Sequence, residues 1–356
     1  MENLEILPSL SQWATNLTFS RLPKAAVEAA KRSMIDTFAV GCAGSTWSTI
    51  TALKKSSHEL YQGSSADCLD FQTTLSPVGA ALLNGAACHV LDYDDTFYPG
   101  VLHPSTVIFP SALAVAQSVR SDGQSLLTAF IAGLEAECIL GQINPHLNFD
   151  VSLVKQLSKV WSLVEPGFAL KRYPVCSSAQ AASECLENVV TQYKLNPADI
   201  QSVDCEVTPF ICKSLDFEHP QTPTEAQFSM QFALASMLTY RELTFLQLNV
   251  SALNNPVLQK NMRKVTMRVG LNHLNQNDYP EATQVTIMLK NGKSLSETIK
   301  AYTGMPNNPM SEQQLYQKFA VCCQNLDYAT LFERLLKCEK LTEINTLTKP
   351  YPMKSS

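Results

Sequence analysis

Residues 89–105, HVLDYDDTFYPGVLHPS, set two of the chain's six histidines beside Asp92, Asp94, Asp95 and the hydroxyl of Thr96. Imidazole is the side chain whose ordinary proton affinity lies nearest neutral pH, and a neighbouring carboxylate raises that affinity and fixes the tautomer. Two imidazoles and several carboxylates on one segment are therefore the parts of a general acid–base site. Aspartates also gather in solvated turns, where their side chains bond the local backbone. A third chemistry is metal binding, since three aspartates can hold Mg²⁺ together with retained waters. The segment lies between two apolar runs and lacks flexible Gly/Ser filler, which places it at a junction between buried helices.

The flanking patterns say what positions these groups. "SPVGAALLNGAACHV" offers Ser76 as N-cap and Pro77 at the first helical position, so His89 falls in the last turn of that helix, where the helix dipole favours the charged imidazole. "HPSTVIFPSALAVAQSVRSDG" begins another helix with Pro104 early and Gly123 past its end, leaving His103 at the entry. Upstream, "LPKAAVEAAKRSMIDTFAVGCAG" starts at Pro23, sets Val27, Ala30, Met34 and Phe38 on one face, and stops near Gly41 and Gly44. "QSLLTAFIAGLEAECILGQI" is apolar nearly all round, as inside a bundle.

After about residue 165 the period changes. "SVDCEVT" and "KVTMRVG" alternate with a period of two, and "ATQVTIMLKNGKSLSETI" reads as a hairpin turning at Asn291-Gly292. Helices "SSAQAASECLENVVTQY" and "TEAQFSMQFALASML" separate the strands. In the tail, Ser311 and Gln314 make a capping box for "EQQLYQKFAVCCQ". The expectation is a mainly α protein: an all-helical domain over 1–164, joined by helices from 308–356, and a smaller α+β lid domain over 165–307 with an antiparallel sheet.

Composition narrows the function classes. With 45% apolar and 17% charged residues in 356, the chain has enough apolar surface for two substantial cores. A net charge of −5 and the lack of a basic stripe argue against nucleic acid as a partner. Eleven cysteines, an odd number without C-x-x-C, read as buried thiols of a reducing, cytoplasmic compartment. No secretory leader opens the sequence and no stretch reads as a membrane span, so no membrane partner is expected. The P-loop, G-x-G-x-x-G, G-x-S-x-G and H-E-x-x-H signatures are missing, which removes the usual nucleotide, dinucleotide, serine-hydrolase and zincin chemistries.

"LSPVGAALLNGAACHVLDYDDTFYPGVLHPSTVIFPSALAVAQ" closely resembles the MmgE/PrpD family, whose pattern there is N-G, then H-x-x-D-[FY]-D-D-T, then H-P. "LKRYPVCSSAQAA", "EAQFSMQFALASML" and "LNNPVLQ" resemble its later K-R-[FY]-P, F-S-x-x-[FY]-x-x-A and N-x-P segments. The resemblance implies a helical domain with a smaller α+β lid, a homodimer, and cofactor-free lyase or epimerase chemistry on small di- and tricarboxylates, such as 2-methylcitrate or cis-aconitate. It implies His103 for proton transfer, Asp92 and Thr96 in the pocket, and His89, Asp95, Lys171 and Arg172 for substrate binding, with no metal ligand and no cofactor. Two departures accompany it. A long helical stretch carrying a second pocket histidine and a lysine is missing after "GLEAECILGQINPHL", and the histidine that follows K-R-[FY]-P is Gln180 here. Nothing in the sequence makes His146 a replacement for either. A shortened, catalytically inactive member with a binding or vestigial role is the alternative.

Overall fold

The computed structural model describes residues 6–142, 151–271 and 280–348, the side chains of Val151 and Ser152 apart; His146 lies outside them. The described residues divide into two compact units. One draws on Met1–Val90, Asp94–Leu170 and Met310–Ser356, the other on Leu91–Tyr93 and Lys171–Pro309.

The first unit is helical and built around Lys24–Gly44, which is buried without interruption from Ser33 onward. A helix buried on every side belongs at the centre of a bundle. Its Phe38 meets Phe71, Phe109 and Phe319 at centroid separations of 6.0 to 6.4 Å. Burying such a ring contributes about 1.5–3 kcal/mol. Helices Glu312–Cys322 and Tyr328–Leu336 pack on the same central helix, so the end of the chain completes this core. The Ser311–Gln314 capping box is formed, each side chain bonding the other residue's backbone N–H. Helix Lys24–Gly44 runs through both glycines, because its last turn lies against helix Pro77–His89: a Cβ on Gly44 would stand 2.0 Å from the Ala87 carbonyl oxygen. Gly123 opens the next helix, Gly123–Gln142, after a short turn.

Among the described residues that helix is the one long and apolar enough to cross a membrane, by length and composition only. Half of its most apolar window is buried in the unit. Its Glu135 accepts hydrogen bonds from the backbone N–H groups of Ser162 and Leu163, docking the irregular segment that follows. Trp13 holds the same segment, donating to Ser158 at 2.8 Å and lying 6.2 Å from the Trp161 ring.

A two-stranded ribbon, β1 (Ala66–Asp67) with β2 (Thr74–Leu75), belongs to the first unit. The second unit holds a four-stranded sheet in the order β4 (Val265–Val269), β3 (Ile200–Val207), β5 (Thr283–Leu289) and β6 (Ser294–Ile299). The hairpin β5–β6 turns where expected, with Gly292 at φ +84°. The sheet is mixed, however: β3 and β4 are parallel. A long helical crossover joins those two strands and returns the chain in the same direction, which alternation along each strand does not reveal. Helix Ser177–Gln192 packs on β5 and β6. The segment "TEAQFSMQFALASML" forms two helices, Pro223–Gln227 and Met230–Tyr240, because the Ser229 hydroxyl caps the second.

Candidate active site

In the first unit His89 is the last residue of helix Pro77–His89, a helix begun by Ser76 accepting from the Gly79 N–H. His103 is the N-cap of helix Pro104–Ser118. The two helices pack together, and their facing ends bring the imidazole centroids to 5.1 Å. Asp94 is fully buried against both rings. Its Oδ2 lies 2.8 Å from Nδ1 of His89 and 3.7 Å from Nδ1 of His103. Nδ1 of His103 also lies 2.7 Å from the Asp95 carbonyl oxygen. A carbonyl only accepts, so this nitrogen carries a proton, and the lone pair of the neutral ring sits on Nε2. The same argument at the Asp94 carboxylate puts the Nδ1 proton of His89 toward Asp94. Both rings thus point their proton-bearing Nδ1 atoms inward. The side chain of His89 is 52% exposed and that of His103 31%.

Asp95 does a different job. It is fully buried; its Oδ1 accepts from the Ser105 N–H at 3.2 Å and its Oδ2 from the Ser105 hydroxyl. It therefore closes the first turn of the helix that His103 enters, satisfying one of the donors a helix start leaves open. Burial pushes its carboxyl up to about 7; the Ser105 bonds oppose this, and the charges of Asp36 and Asp94 add to it. Asp95 has no exposed surface, and both of its carboxylate oxygens serve Ser105. Thr96 is buried, and its backbone exchanges hydrogen bonds with Ala169 at 2.8 and 2.9 Å.

Beneath these groups, Asp36 of the central helix pairs with Lys318 of helix Glu312–Cys322 at 2.6 Å, both side chains almost wholly buried. Burial pushes the Asp36 carboxyl up, the Lys318 ammonium opposes that, and Asp94 adds to it. Sequence patterning missed this pair. Its only signal was a single charge inside an otherwise apolar helical face.

In the second unit, Asp92 sits at φ +46°, a left-handed conformation that aspartate tolerates better than most residues. Lys171 holds it there: Nζ donates to both the Asp92 carbonyl oxygen and Oδ1 at 2.8 Å, and the lysine is wholly buried. Arg172 pairs with Glu187 at 2.7 Å, and Tyr173 donates to the same carboxylate at 2.9 Å. The Tyr93 hydroxyl donates to the Arg172 carbonyl. Gln180 is buried and fully committed to backbone. Its Oε1 accepts from the N–H groups of Arg172 and Tyr173 at 3.0 Å, while its Nε2 donates to the carbonyls of Tyr173 and Val175 at 2.8 and 2.9 Å. An imidazole, with one donor and one acceptor, could not make that set of bonds. Lys171 and Arg172 thus spend their charges on Asp92 and Glu187.

Family models for the MmgE/PrpD N-terminal domain and the MmgE/PrpD C-terminal domain match residues 8–154 and 173–335. The chain belongs to the MmgE/PrpD family. The candidate motif of residues 89–105 lies within the N-terminal match, and Lys171 and Arg172 fall between the two. Cis-aconitate decarboxylase of Homo sapiens is 30% identical over 127 residues, covering 34% of this chain and 26% of that protein. The Mus musculus protein of the same name is 29% identical over 129 residues, with shares of 34% and 26%. Cis-aconitate decarboxylase of Aspergillus terreus is 24% identical over 144 residues, with shares of 38% and 29%. The matched stretch covers less than a third of each relative's length.

His89, Asp94 and His103 bring possible ligand atoms within 4.8 Å of one another. The imidazole nitrogens turned toward Asp94 already carry protons, and one is bound to a peptide carbonyl. An ion there would have to displace both protons and break that bond. A cavity of about 390 Å³ in the second unit is lined by Leu186, Val190, Met237 and Arg241.

Proposed function

We propose that this family member is a cofactor-independent lyase acting on a small di- or tricarboxylate, with His103 exchanging the proton through Nε2. The observation that carries the reading is the pair of imidazoles flanking one buried carboxylate, each held in a single tautomer with Nε2 turned away from Asp94. In a decarboxylation the carbon–carbon bond to the leaving carboxylate breaks, its electron pair stays on the substrate carbon, and His103, doubly protonated for this step, gives that carbon its Nε2 proton as CO₂ departs. In a dehydration the lone pair on Nε2 of neutral His103 takes the proton from carbon beside a carboxylate, and the same proton, delivered from Nε2 to the hydroxyl, lets it leave as water. Both need a group near neutral proton affinity and a cation to hold the acid. The similarity to cis-aconitate decarboxylases favours the first.

Asp92 and Thr96 keep positioning roles in this reading. A homodimer in a reducing, cytoplasmic setting fits the exposed apolar side chains Val78, Leu82, Val107 and Val115 on the two helices that carry the histidines, and the eleven free thiols. The test is turnover of cis-aconitate, citrate and 2-methylcitrate by the purified chain. Activity on one of them that His103→Asn abolishes supports the proposal, and no turnover across the panel removes it.

A second reading, a catalytically inactive relative, draws on Gln180 and Lys171. An amide bonded to four backbone groups exchanges no proton, and an ammonium buried on Asp92 recruits no substrate. In that case carboxylates bind without being consumed.

A further inference from the structure

Helices Ser177–Gln192 and Met230–Tyr240 of the second unit pack on one another, and the cavity of about 390 Å³ lies toward their C-terminal ends. That volume falls within the roughly 300–1,000 Å³ of small-molecule sites. We propose that it is a binding site for a free aliphatic monocarboxylate. The carboxylate sits on Lys194 and Arg241, and the chain runs along Leu186, Val190, Leu195 and Met237. The site shares no residue with the histidine pair and does not depend on the reaction proposed above.

Charge is the first support. Among the described residues the Lys194 ammonium has no hydrogen-bond or ion-pair partner. Arg241 donates from Nη1 and Nη2 to the Leu195 carbonyl, 3.1 Å each, which fixes its guanidinium at the cavity and leaves the rest of the donor fork for another partner. Glu187 also lines the cavity, but its carboxylate already pairs with Arg172 at 2.7 Å and accepts from the Tyr173 hydroxyl at 2.9 Å. The uncommitted charge on the lining is therefore positive.

Apolar surface is the second. Leu186 and Met237 are buried, and Val190 and Leu195 are half-buried beside them. A small polyanion would meet the two cations and leave these four side chains against water. An aliphatic acid covers both parts of the lining, with the charge-assisted bonds at one end and methylene burial along the rest. The backbone agrees: Lys194 and Arg241 stand just past the helix ends at φ +49° and +65°, a left-handed conformation usually given to glycine there. Cations at helix ends also offset the helix dipoles. That role alone leaves the apolar lining unused and gives an aliphatic acid no affinity, so binding separates the two.

The experiment is calorimetry on the full chain near neutral pH with butanoate, hexanoate, octanoate and octylammonium. Affinity for the acids should rise about two- to fourfold per added methylene, and octylammonium should not bind. Lys194→Glu should weaken octanoate at least tenfold, while Lys194→Arg should keep it. Val190→Phe, which fills the cavity, should weaken octanoate far more than butanoate. His103→Gln should leave octanoate binding unchanged, which separates this site from the candidate active site. The proposal is overturned by any of four results: no saturable octanoate binding, binding that Lys194→Glu and Val190→Phe both leave intact, binding lost in His103→Gln, or octylammonium bound as tightly as octanoate.

Discussion

Asp95→Asn tests how the buried carboxylate at the helix start responds to pH. The unfolded chain releases the Asp95 proton near 3.8, whereas the folded chain holds it up to about 7. Between those values the native state binds more protons than the unfolded one, so stability falls as pH rises through this window and then levels off. The difference corresponds to ~4 kcal/mol for a group with no solvent exposure. Asparagine keeps the geometry, since Oδ1 still accepts the Ser105 N–H and Nδ2 can donate to the Ser105 hydroxyl, but it cannot ionise. The variant should therefore match the parent or fall slightly below it at pH 4.5 and gain on it steadily, by up to ~4 kcal/mol at pH 8. Urea unfolding at pH 4.5, 6, 7 and 8 measures this as the shift in midpoint between the two proteins. Parallel curves, or a variant that loses ground as pH rises, would show that Asp95 ionises normally and that its role as a neutral helix-entry group is mistaken.

Other consequences follow from the same contacts. Lys318→Met leaves Asp36 buried without its cation and should cost about 3–5 kcal/mol in urea unfolding, with Asp36→Asn in the same chain recovering part of the loss. Gln180→Leu leaves two N–H groups and two carbonyls unpaired in the interior, each costing about 1–3 kcal/mol, and should lower the urea midpoint markedly. A thiol reagent should modify only Cys176 and Cys212 readily in the native protein, since the other nine thiols are buried, and all eleven after denaturation. Rapid native labelling of more than these two would contradict the packing.

Much of the fold was legible because its signals are local. Ser76, Ser311 with Gln314, and Asn291-Gly292 act through their own backbone neighbours, and each works as its type requires. The parallel pairing of β3 and β4 was not legible, because strand direction is set by the path of the crossover and not by alternation within a strand. At the candidate site, the convergence of His89 and His103 could be read from their places at two helix ends. Asp94, which lies between them, had no reason in sequence to be chosen over Asp92 or Asp95. The roles of Asp95, Lys171 and Gln180 went unread for a related reason. A polar side chain that turns inward to serve the backbone has the same letter as one that turns outward to meet a ligand. The Asp36–Lys318 pair joins positions 282 residues apart, and only the packed helices bring them together.

The central claim is that the histidine pair moves a proton to or from carbon on a small polycarboxylate. Proton NMR of cis-aconitate, citrate and 2-methylcitrate incubated with the chain in D₂O tests this most directly. Deuterium should appear at a carbon beside a carboxylate, in product or in recovered acid, with the parent protein and not with His103→Gln. Failure of any of these acids to gain deuterium, or equal incorporation by the variant, would contradict it.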